Sequence, residues 1–258
     1  MYKFFVRPFN LGMRTGSASS TRQTAGKFAA AARPDRRLAV LLAAERLFAQ
    51  HGYHAVSIRQ IAQSAGVPLA LVGYYFGPKH ELFHAIFEHW QGTAKARLER
   101  LDAVLEAPGS ERSLDHVVEA FVRPVLAQRA SEEGEYYAQL VARELGFQTP
   151  EATRVLTDYF DPLANRFIDA LMAVRPGHGR SSAAWAYQFA LGALLHHISD
   201  IRVGRLSGGL SSPHDPQAAS LLIRFLSAGI SAVMPVLSDG RPPPVCDPTA
   251  TPPTETRP

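Results

Sequence analysis

The segment of residues 57–79 constrains the fold of this chain more than any other, because its residue types predict two short helices joined by a tight turn. Ser57 can cap the first helix, and Gln60 three residues later can bond back to the Ser57 amide. Gly66 can adopt the left-handed backbone of a sharp turn, and Pro68 suits the first turn of the next helix. This order is typical of a DNA-reading helix-turn-helix, although an ordinary helical hairpin would also produce it.

The sequence on both sides of this segment favours the DNA-binding alternative. Residues 36–51 carry apolar side chains at helical spacing and precede Gly52, and Pro78 opens a further apolar-periodic segment. One pattern runs through all of these segments, and its members are Ala44, Leu47, Phe48, Gly52, Tyr53, Ser57, Ile58, Arg59, Ile61, Ala62, Ala65, Gly66, Val67, Tyr74, Tyr75, Phe76, Lys79, Leu82 and Phe83. The pattern resembles that of the TetR family of transcriptional regulators.

The resemblance implies an all-α protein with two folded parts. An N-terminal three-helix DNA-binding domain would span residues 34–94, and a C-terminal helical domain for effector binding and dimerisation would span residues 95–238. The protein would be a DNA-binding transcriptional regulator, not an enzyme, and would need no cofactor. It would act as a homodimeric repressor that a small hydrophobic effector releases from a double-stranded, pseudo-palindromic operator. An architectural DNA binder without an effector is the alternative of the same class.

Apolar periodicity after the reading segment predicts only helices. They are expected over residues 79–105, 113–128, 133–145, 151–174, 182–205 and 215–236, and the fourth could break at Asp161 and Pro162. The last two are apolar over more than one face, so they either fill a monomer core or pack against a second copy of the chain. The resemblance implies that these two form the homodimer interface. Two recognition helices ~34 Å apart would then read half-sites related by two-fold symmetry.

The two ends of the chain differ from its middle in composition. Residues 1–33 contain six Lys or Arg and no acidic residue, which predicts a disordered extension attracted to polyanions. It would either add DNA contacts or be a leader that an over-extended start codon produces. Residues 239–258 are rich in Pro and Thr, which predicts a disordered tail. The single cysteine, Cys246, excludes a disulfide framework within the chain.

The chain shows no apolar run long enough to span a membrane and no secretory signal, so we expect a cytoplasmic protein with no membrane contact.

The expected recognition helix, residues 68–75, lacks the Lys, Arg, Asn and Gln side chains that read bases by paired hydrogen bonds. Base reading would then depend on apolar contacts, on tyrosine hydroxyls and on DNA shape, while Gly73 permits a close backbone approach. Tyr75 would contact phosphate or, alternatively, be a core aromatic. The candidate DNA-binding residues are Ser57, Arg59, Pro68, Leu69, Ala70, Gly73, Tyr74, Tyr75 and Lys79. Among them Ser57, Arg59 and Lys79 are expected at phosphates.

An effector pocket is expected in the C-terminal body, because ligand cavities are mainly apolar with few polar groups. Its candidate residues are Phe121, Tyr136, Tyr137, Arg143, Phe167, Trp185, Gln188, Phe189 and His196, each of which could instead be plain core. Their aromatic character favours an acyl or aromatic compound, and Arg143 would be available for a carboxylate.

One motif points to a different class of protein. His80, Glu81 and His84 match His-Glu-x-x-His, which on a helix places two imidazoles on one face for zinc and leaves the glutamate as a general base. A zinc-dependent hydrolase is therefore an alternative, with Glu99 or Glu106 as a third ligand. The neighbouring pair His196 and His197 cannot easily share a metal, because adjacent helical side chains point about 100° apart.

Overall fold

The structure, a computed structural model, describes residues 35–129, 131–144, 146 and 149–236. Over these residues the fold is all-α, as predicted, and no strand is present. The expected basic extension of residues 1–33 and the tail of residues 239–258, with Cys246, lie outside the described residues. No helix in the described ranges is long and apolar enough to cross a membrane.

Among the described residues, the α-helices follow one another in twelve segments. They are α1 (Arg36–His51), α2 (Ile58–Ser64), α3 (Leu69–Phe76), α4 (Lys79–His89), α5 (Gln91–Glu106), α6 (Leu114–Gln128), α7 (Glu132–Glu144), α8 (Pro150–Val155), α9 (Asp161–Val174), α10 (Arg180–Ser199), α11 (Val203–Leu206) and α12 (Ala218–Val233).

The capping box predicted at the start of α2 is confirmed. The Gln60 amide nitrogen donates to the Ser57 hydroxyl at 3.3 Å, and the Ser57 amide donates to the Gln60 side-chain oxygen at 2.8 Å. Gly66 has a φ of +65°, which confirms the left-handed turn between α2 and α3. Pro68 is the residue that precedes α3. The chain therefore forms the helix-turn-helix that the sequence predicts.

A first apolar cluster holds α1 to α4 together. Phe48, Ile61, Val72 and Phe83 from these four helices are almost fully buried in it. Leu140 of α7 belongs to the same cluster, so the helix-turn-helix rests directly on the C-terminal body. Burial of each such side chain stabilises the fold by about 1.5–3 kcal/mol.

A second apolar cluster joins α5, α6, α9, α10 and α12. Leu101, Val122, Ala170, Ala183 and Leu194 are among its buried members. Small residues on α9 and α10 allow the two helices to approach closely, as ridges fit into grooves.

Two predicted helices differ from the observed ones, and the break expected in a third is confirmed. The single helix expected over residues 79–105 ends at His89 and restarts at Gln91; Trp90 lies between the two, and its indole contacts α1. The break expected near Asp161 is confirmed: a π-helical turn, Leu156–Phe160, precedes α9, and Pro162 sits in the first turn of that helix, where no amide is needed. The helix expected over residues 182–205 ends at Ser199, and the short α11 follows separately.

Candidate DNA-binding face and ligand cavity

One face of α3 is anchored in the first cluster and the opposite face is open to solvent. Val72 is fully buried and Phe76 nearly so. Leu69 is 48% exposed and Tyr74 81% exposed, which is unusual for such large side chains without a partner. Ala70, Gly73 and Pro68 are exposed beside them. The helix thus presents an apolar surface with one phenol hydroxyl, as the sequence predicts.

Arg59 of α2 lies exposed near this surface and has no ion-pair partner in the described part of the chain. The Ser57 hydroxyl is used within the capping box, where it also donates to the Gln60 side-chain oxygen at 2.7 Å. Tyr75 is half-buried and packs on the first cluster, with its ring centre 6.4 Å from that of Phe76. Of the residues expected at phosphates, Arg59 is therefore the exposed one whose side chain is not engaged by another described residue.

Lys79 occupies a different position from the one expected. Its ammonium donates to the Tyr53 carbonyl oxygen at 2.5 Å and lies 4.3 Å from the centre of the Tyr53 ring. Burial lowers the pKa of Lys79, although Glu151 opposes this shift. An ammonium held by a carbonyl and an aromatic face stabilises the turn after α1, and Lys79 is partly buried there. This placement does not support the predicted phosphate contact.

Two exposed arginines near the same surface were missed by the sequence analysis. The Arg37 guanidinium carbon lies 4.8 Å from the centre of the Phe76 ring, and Arg46 donates to the Ser64 hydroxyl at 2.8 Å. Both stand on α1, where nothing in the local sequence distinguishes them from ordinary surface arginines. The packing of α1 places Arg37 against Phe76 of α3, and it places Arg46 at the end of α2, in a groove that Glu132 and Glu133 also line.

A cavity of about 790 Å³, including the part open to solvent, lies in the C-terminal body. Its walls come from α4, α5, α6, α7, α9 and α10 and from the π-helical turn. The lining residues are Phe87, Trp90, Gln91, Thr93, Ala94, Arg97, Val125, Gln128, Tyr137, Ala138, Val141, Tyr159, Phe160, Leu163, Tyr187, Leu191, Leu194, Leu195 and Ile198. Its apolar walls and few polar groups are typical of small-molecule sites.

Both halves of the chain match family models. Residues 40–86 match the model described as bacterial regulatory proteins of the tetR family, and residues 119–229 match the tetracyclin repressor-like C-terminal domain. Together these segments make up more than half of the chain. The chain belongs to the TetR family of DNA-binding transcriptional regulators.

A curated relative and several solved structures agree with this family. The chain is 35% identical over 95 residues to the HTH-type transcriptional regulator HbdR of Aromatoleum sp. (strain CIB), and the match covers 37% of this chain and 41% of that regulator. The fold resembles the fatty acid degradation regulator FadR of Bacillus halodurans, with a TM-score of 0.55, 17% identity, and coverage of 76% of this chain and 97% of that one. FadR of Bacillus subtilis, solved in complex with stearoyl-CoA, gives a TM-score of 0.53 at 16% identity, with coverage of 74% and 98%.

Of the residues expected in the effector pocket, Tyr137 lines the large cavity. Phe121 and Phe167 line a smaller apolar space of about 260 Å³ that shares Tyr187 with it. Tyr136 lies beside a surface groove at α1.

The four expected pocket residues on α10 were assigned to the wrong face. Trp185 and Phe189 are each 60% exposed, and Gln188 and His196 are also exposed. The opposite face of α10 supplies Tyr187 and four aliphatic residues to the cavity. Both faces of α10 are apolar, so periodicity alone could not show which one is inward.

Arg143 is also absent from the cavity. Its guanidinium donates to the carbonyl oxygens of Ala49 and Gln50, both at 3.3 Å, and so caps the C-terminal end of α1. A cation at this end of a helix is stabilised by the helix dipole. The carboxylate contact predicted for Arg143 is therefore not supported.

Arg97 is the cationic residue of the cavity, and the sequence analysis missed it. It is 8% exposed, and its guanidinium carbon lies 5.1 Å and 5.7 Å from the ring centres of Phe121 and Phe167. Burial lowers the pKa of Arg97 to about 10, so it stays charged at neutral pH. Helix α5 carries many charged residues, a pattern that is typical of a solvent-exposed helix. The pattern therefore does not indicate that Arg97 is buried.

Trp90 connects the cavity to the helix-turn-helix. Its indole lines the cavity, stacks on Tyr137 with ring centres 5.1 Å apart, and donates from Nε1 to a Glu45 carboxyl oxygen at 2.6 Å. Glu45 belongs to α1 and is 1% exposed. Burial raises the pKa of Glu45 to about 7, opposed by the Trp90 hydrogen bond and assisted by Glu133. We call this contact the Trp90–Glu45 junction.

The His-Glu-x-x-His motif is engaged within the protein. His84 lies with Nε2 2.9 Å from Asp158 and Nδ1 3.1 Å from the Tyr159 hydroxyl. Glu81 accepts from Arg154 at 2.8 Å, and this hydrogen bond lowers the pKa of its carboxyl group, the reverse of what a general base needs. No group of three or more potential metal ligands is found among the described residues. The geometry does not support the zinc-hydrolase alternative.

The raised pKa of Glu45 predicts a specific pH dependence of stability. Between its ordinary value of 4.5 and about 7, the native state keeps a proton that the unfolded state releases. The free energy of unfolding should therefore fall as pH rises through this window, by at most about 3 kcal/mol from this group. Urea unfolding at a series of pH values should show this fall in the wild type and a flatter profile in Glu45→Gln.

Glu99→Gln on the exposed face of α5 is the matched control and should follow the wild-type profile. Parallel profiles for Glu45→Gln and the wild type would contradict the burial of a protonated Glu45.

Proposed function

We propose that this regulator is a homodimeric repressor that a small hydrophobic effector releases from a pseudo-palindromic operator. The observation that carries this proposal is the Trp90–Glu45 junction, because one side chain both lines the cavity and binds the first helix of the DNA-binding head. The head would span residues 34–94 and the effector and dimerisation domain residues 95–238. A cytoplasmic location follows from access to DNA.

The exposed face of α3 supports DNA binding in the major groove. Leu69 and Ala70 would contact thymine methyl groups, and the Tyr74 hydroxyl would bond to a base edge or a phosphate. Gly73 has open space where a side chain would be, so the backbone can approach the DNA closely. Arg59 would position the helix through a phosphate. Arg37, whose guanidinium lies over the Phe76 ring of α3, would add a further phosphate contact.

Exposed apolar side chains on the last two long helices support dimerisation. Trp185 and Phe189 stack on each other on α10 with ring centres 5.6 Å apart, and both are largely exposed. Leu221 is 54% exposed and Phe225 69% exposed on α12. A patch of exposed large apolar side chains on a monomer is unfavourable in water unless a partner covers it. A second copy of the same face would give the two-fold symmetry that a pseudo-palindromic operator requires.

The cavity supports control by a small molecule. A ligand between α5 and α7 would press on the Trp90–Tyr137 stack, and the Trp90–Glu45 junction would pass that displacement to α1. Release of DNA requires only that the ligand bind the two conformations of the head unequally. The FadR structure from Bacillus subtilis contains stearoyl-CoA, and the apolar walls of this cavity suit a ligand with a hydrocarbon or aromatic part.

Selection of duplexes from a random DNA pool, followed by sequencing, should return a two-fold symmetric motif. With that duplex, Arg59→Ala should weaken binding to all sequences alike and reduce the slope of log affinity against log salt by about one unit. Tyr74→Ala should instead reduce the preference for the selected motif by about tenfold, as loss of one base contact does. Binding isotherms at several salt concentrations measure both effects.

Lys79→Ala is the informative comparison, because the Lys79 ammonium is held by the carbonyl oxygen and the ring of Tyr53. It should lower the unfolding temperature and leave the salt slope unchanged. A unit change of slope in Lys79→Ala, with none in Arg59→Ala, would contradict this assignment of the phosphate contact.

Phe225→Asp should convert the dimer to a monomer, because a carboxylate would be buried in an apolar interface. Sedimentation velocity at micromolar concentration measures the change. Leu69→Asp places the same charge at an exposed leucine of the DNA-binding face and should leave the dimer intact. A Phe225→Asp protein that sediments as the wild type would place the interface elsewhere.

A further inference from the structure

The cavity contains a buried positive charge without a negative partner. Arg97 donates from Nη2 to the Phe121 carbonyl oxygen at 3.2 Å, and this is its one hydrogen bond within the described residues. Its Nε is buried and has no acceptor. An arginine almost removed from water normally pairs with a carboxylate, because an unpaired buried charge costs several kcal/mol. No Asp or Glu is among the residues that line this cavity.

A second donor in the same cavity also lacks an acceptor. The Gln128 side-chain nitrogen is buried and unpaired, and Gln128 lines the cavity together with Arg97. Four side-chain atoms in the described residues are buried without a partner, and two of them belong to this one cavity. Unsatisfied buried donors are rare in native proteins and need an explanation. Both residues line this cavity, where a bound ligand can supply an acceptor.

The other polar groups of the cavity do not supply a negatively charged acceptor for Arg97. Burial raises the pKa of both Tyr137 and Tyr187, so their phenol groups stay neutral and able to donate hydrogen bonds. The Tyr159 hydroxyl already meets His84. The cavity therefore holds one guanidinium and neutral polar groups, without a carboxylate among its lining residues, and its other walls are aromatic and aliphatic.

We propose that the effector is an amphipathic monocarboxylate whose carboxylate binds Arg97 and Gln128 while its apolar part fills the rest of the cavity. One guanidinium matches one carboxylate in charge and in its paired hydrogen bonds. The walls formed by Phe87, Leu163, Leu191 and Leu194 would accept the apolar part. This inference rests on the proposed control by a small molecule and specifies its chemical class.

The test compares three compounds that share one chain and differ in head group: decanoate, decanol and decylamine. Binding to the wild-type protein without DNA is measured by titration calorimetry below the concentrations at which the compounds aggregate. Decanoate should bind at least about tenfold more tightly than decanol, as a charge-assisted hydrogen bond implies, and decylamine should bind more weakly than decanol. This comparison needs no variant.

Arg97→Gln should reduce the affinity for decanoate to about that for decanol and leave decanol binding unchanged. Gln128→Leu should also weaken decanoate alone. Arg100→Gln, on the exposed side of the same helix, is the matched control and should behave as the wild type. Decanol binding equal to decanoate, an equal loss of both compounds in Arg97→Gln, or no binding of any of the three would overturn the proposal.

DNA selection on the same preparation separates this inference from the proposed function. A symmetric DNA motif without a preference for decanoate would retain the regulator and reject the carboxylate. A preference for decanoate without a DNA motif would retain the ligand site and reject the operator-binding dimer.

Discussion

The hydrogen bond from the Trp90 indole to Glu45 is the contact on which the two halves of this protein depend. This hydrogen bond is made at the point where the expected linking helix divides into α4 and α5. It also buries a carboxyl group that no cation balances in the described part of the chain. A neutral Glu45 satisfied by an indole fits this apolar position far better than a charged one. The contact is therefore sensitive both to pH and to anything that displaces Trp90.

Local features of the fold could be predicted from the sequence because each depends on nearby residues. The bounds of α1, the capping box at Ser57 and the left-handed Gly66 follow from spacing and side-chain chemistry within a few positions. The break before α9 follows in the same way from Pro162. The break at Trp90 could not be predicted from nearby residues, and the partner of its indole, Glu45, lies 45 positions earlier in the chain. Periodicity continues across Trp90 and gives no sign of the interruption.

The residues of the candidate sites show the same difference between placements that local sequence determines and placements that distant contacts determine. The exposed positions of Leu69 and Tyr74 follow from the helical pattern of α3 once Val72 and Phe76 are placed inward. The environment of Lys79 does not, because the carbonyl that it binds belongs to the turn after α1. The residues that line the cavity could not be predicted from local sequence, because α10 is apolar on both faces. Only the packing of α10 on α7 and α9 decides that Tyr187 is inward and Trp185 outward. Arg97 could be recognised only from its burial and from the absence of acids around it.

The central claim is that the cavity and the DNA-binding head are coupled through the Trp90–Glu45 junction, and reciprocity requires DNA binding to alter that junction. The chain has two tryptophans, so Trp185→Phe leaves Trp90 as the single tryptophan. The most direct measurement is the Trp90 emission of this variant during titration with the selected duplex, beside a scrambled duplex of equal length. The account predicts a change in emission that saturates together with binding of the selected duplex and is absent with the scrambled one. Emission that stays constant while the selected duplex binds to completion would contradict the coupling.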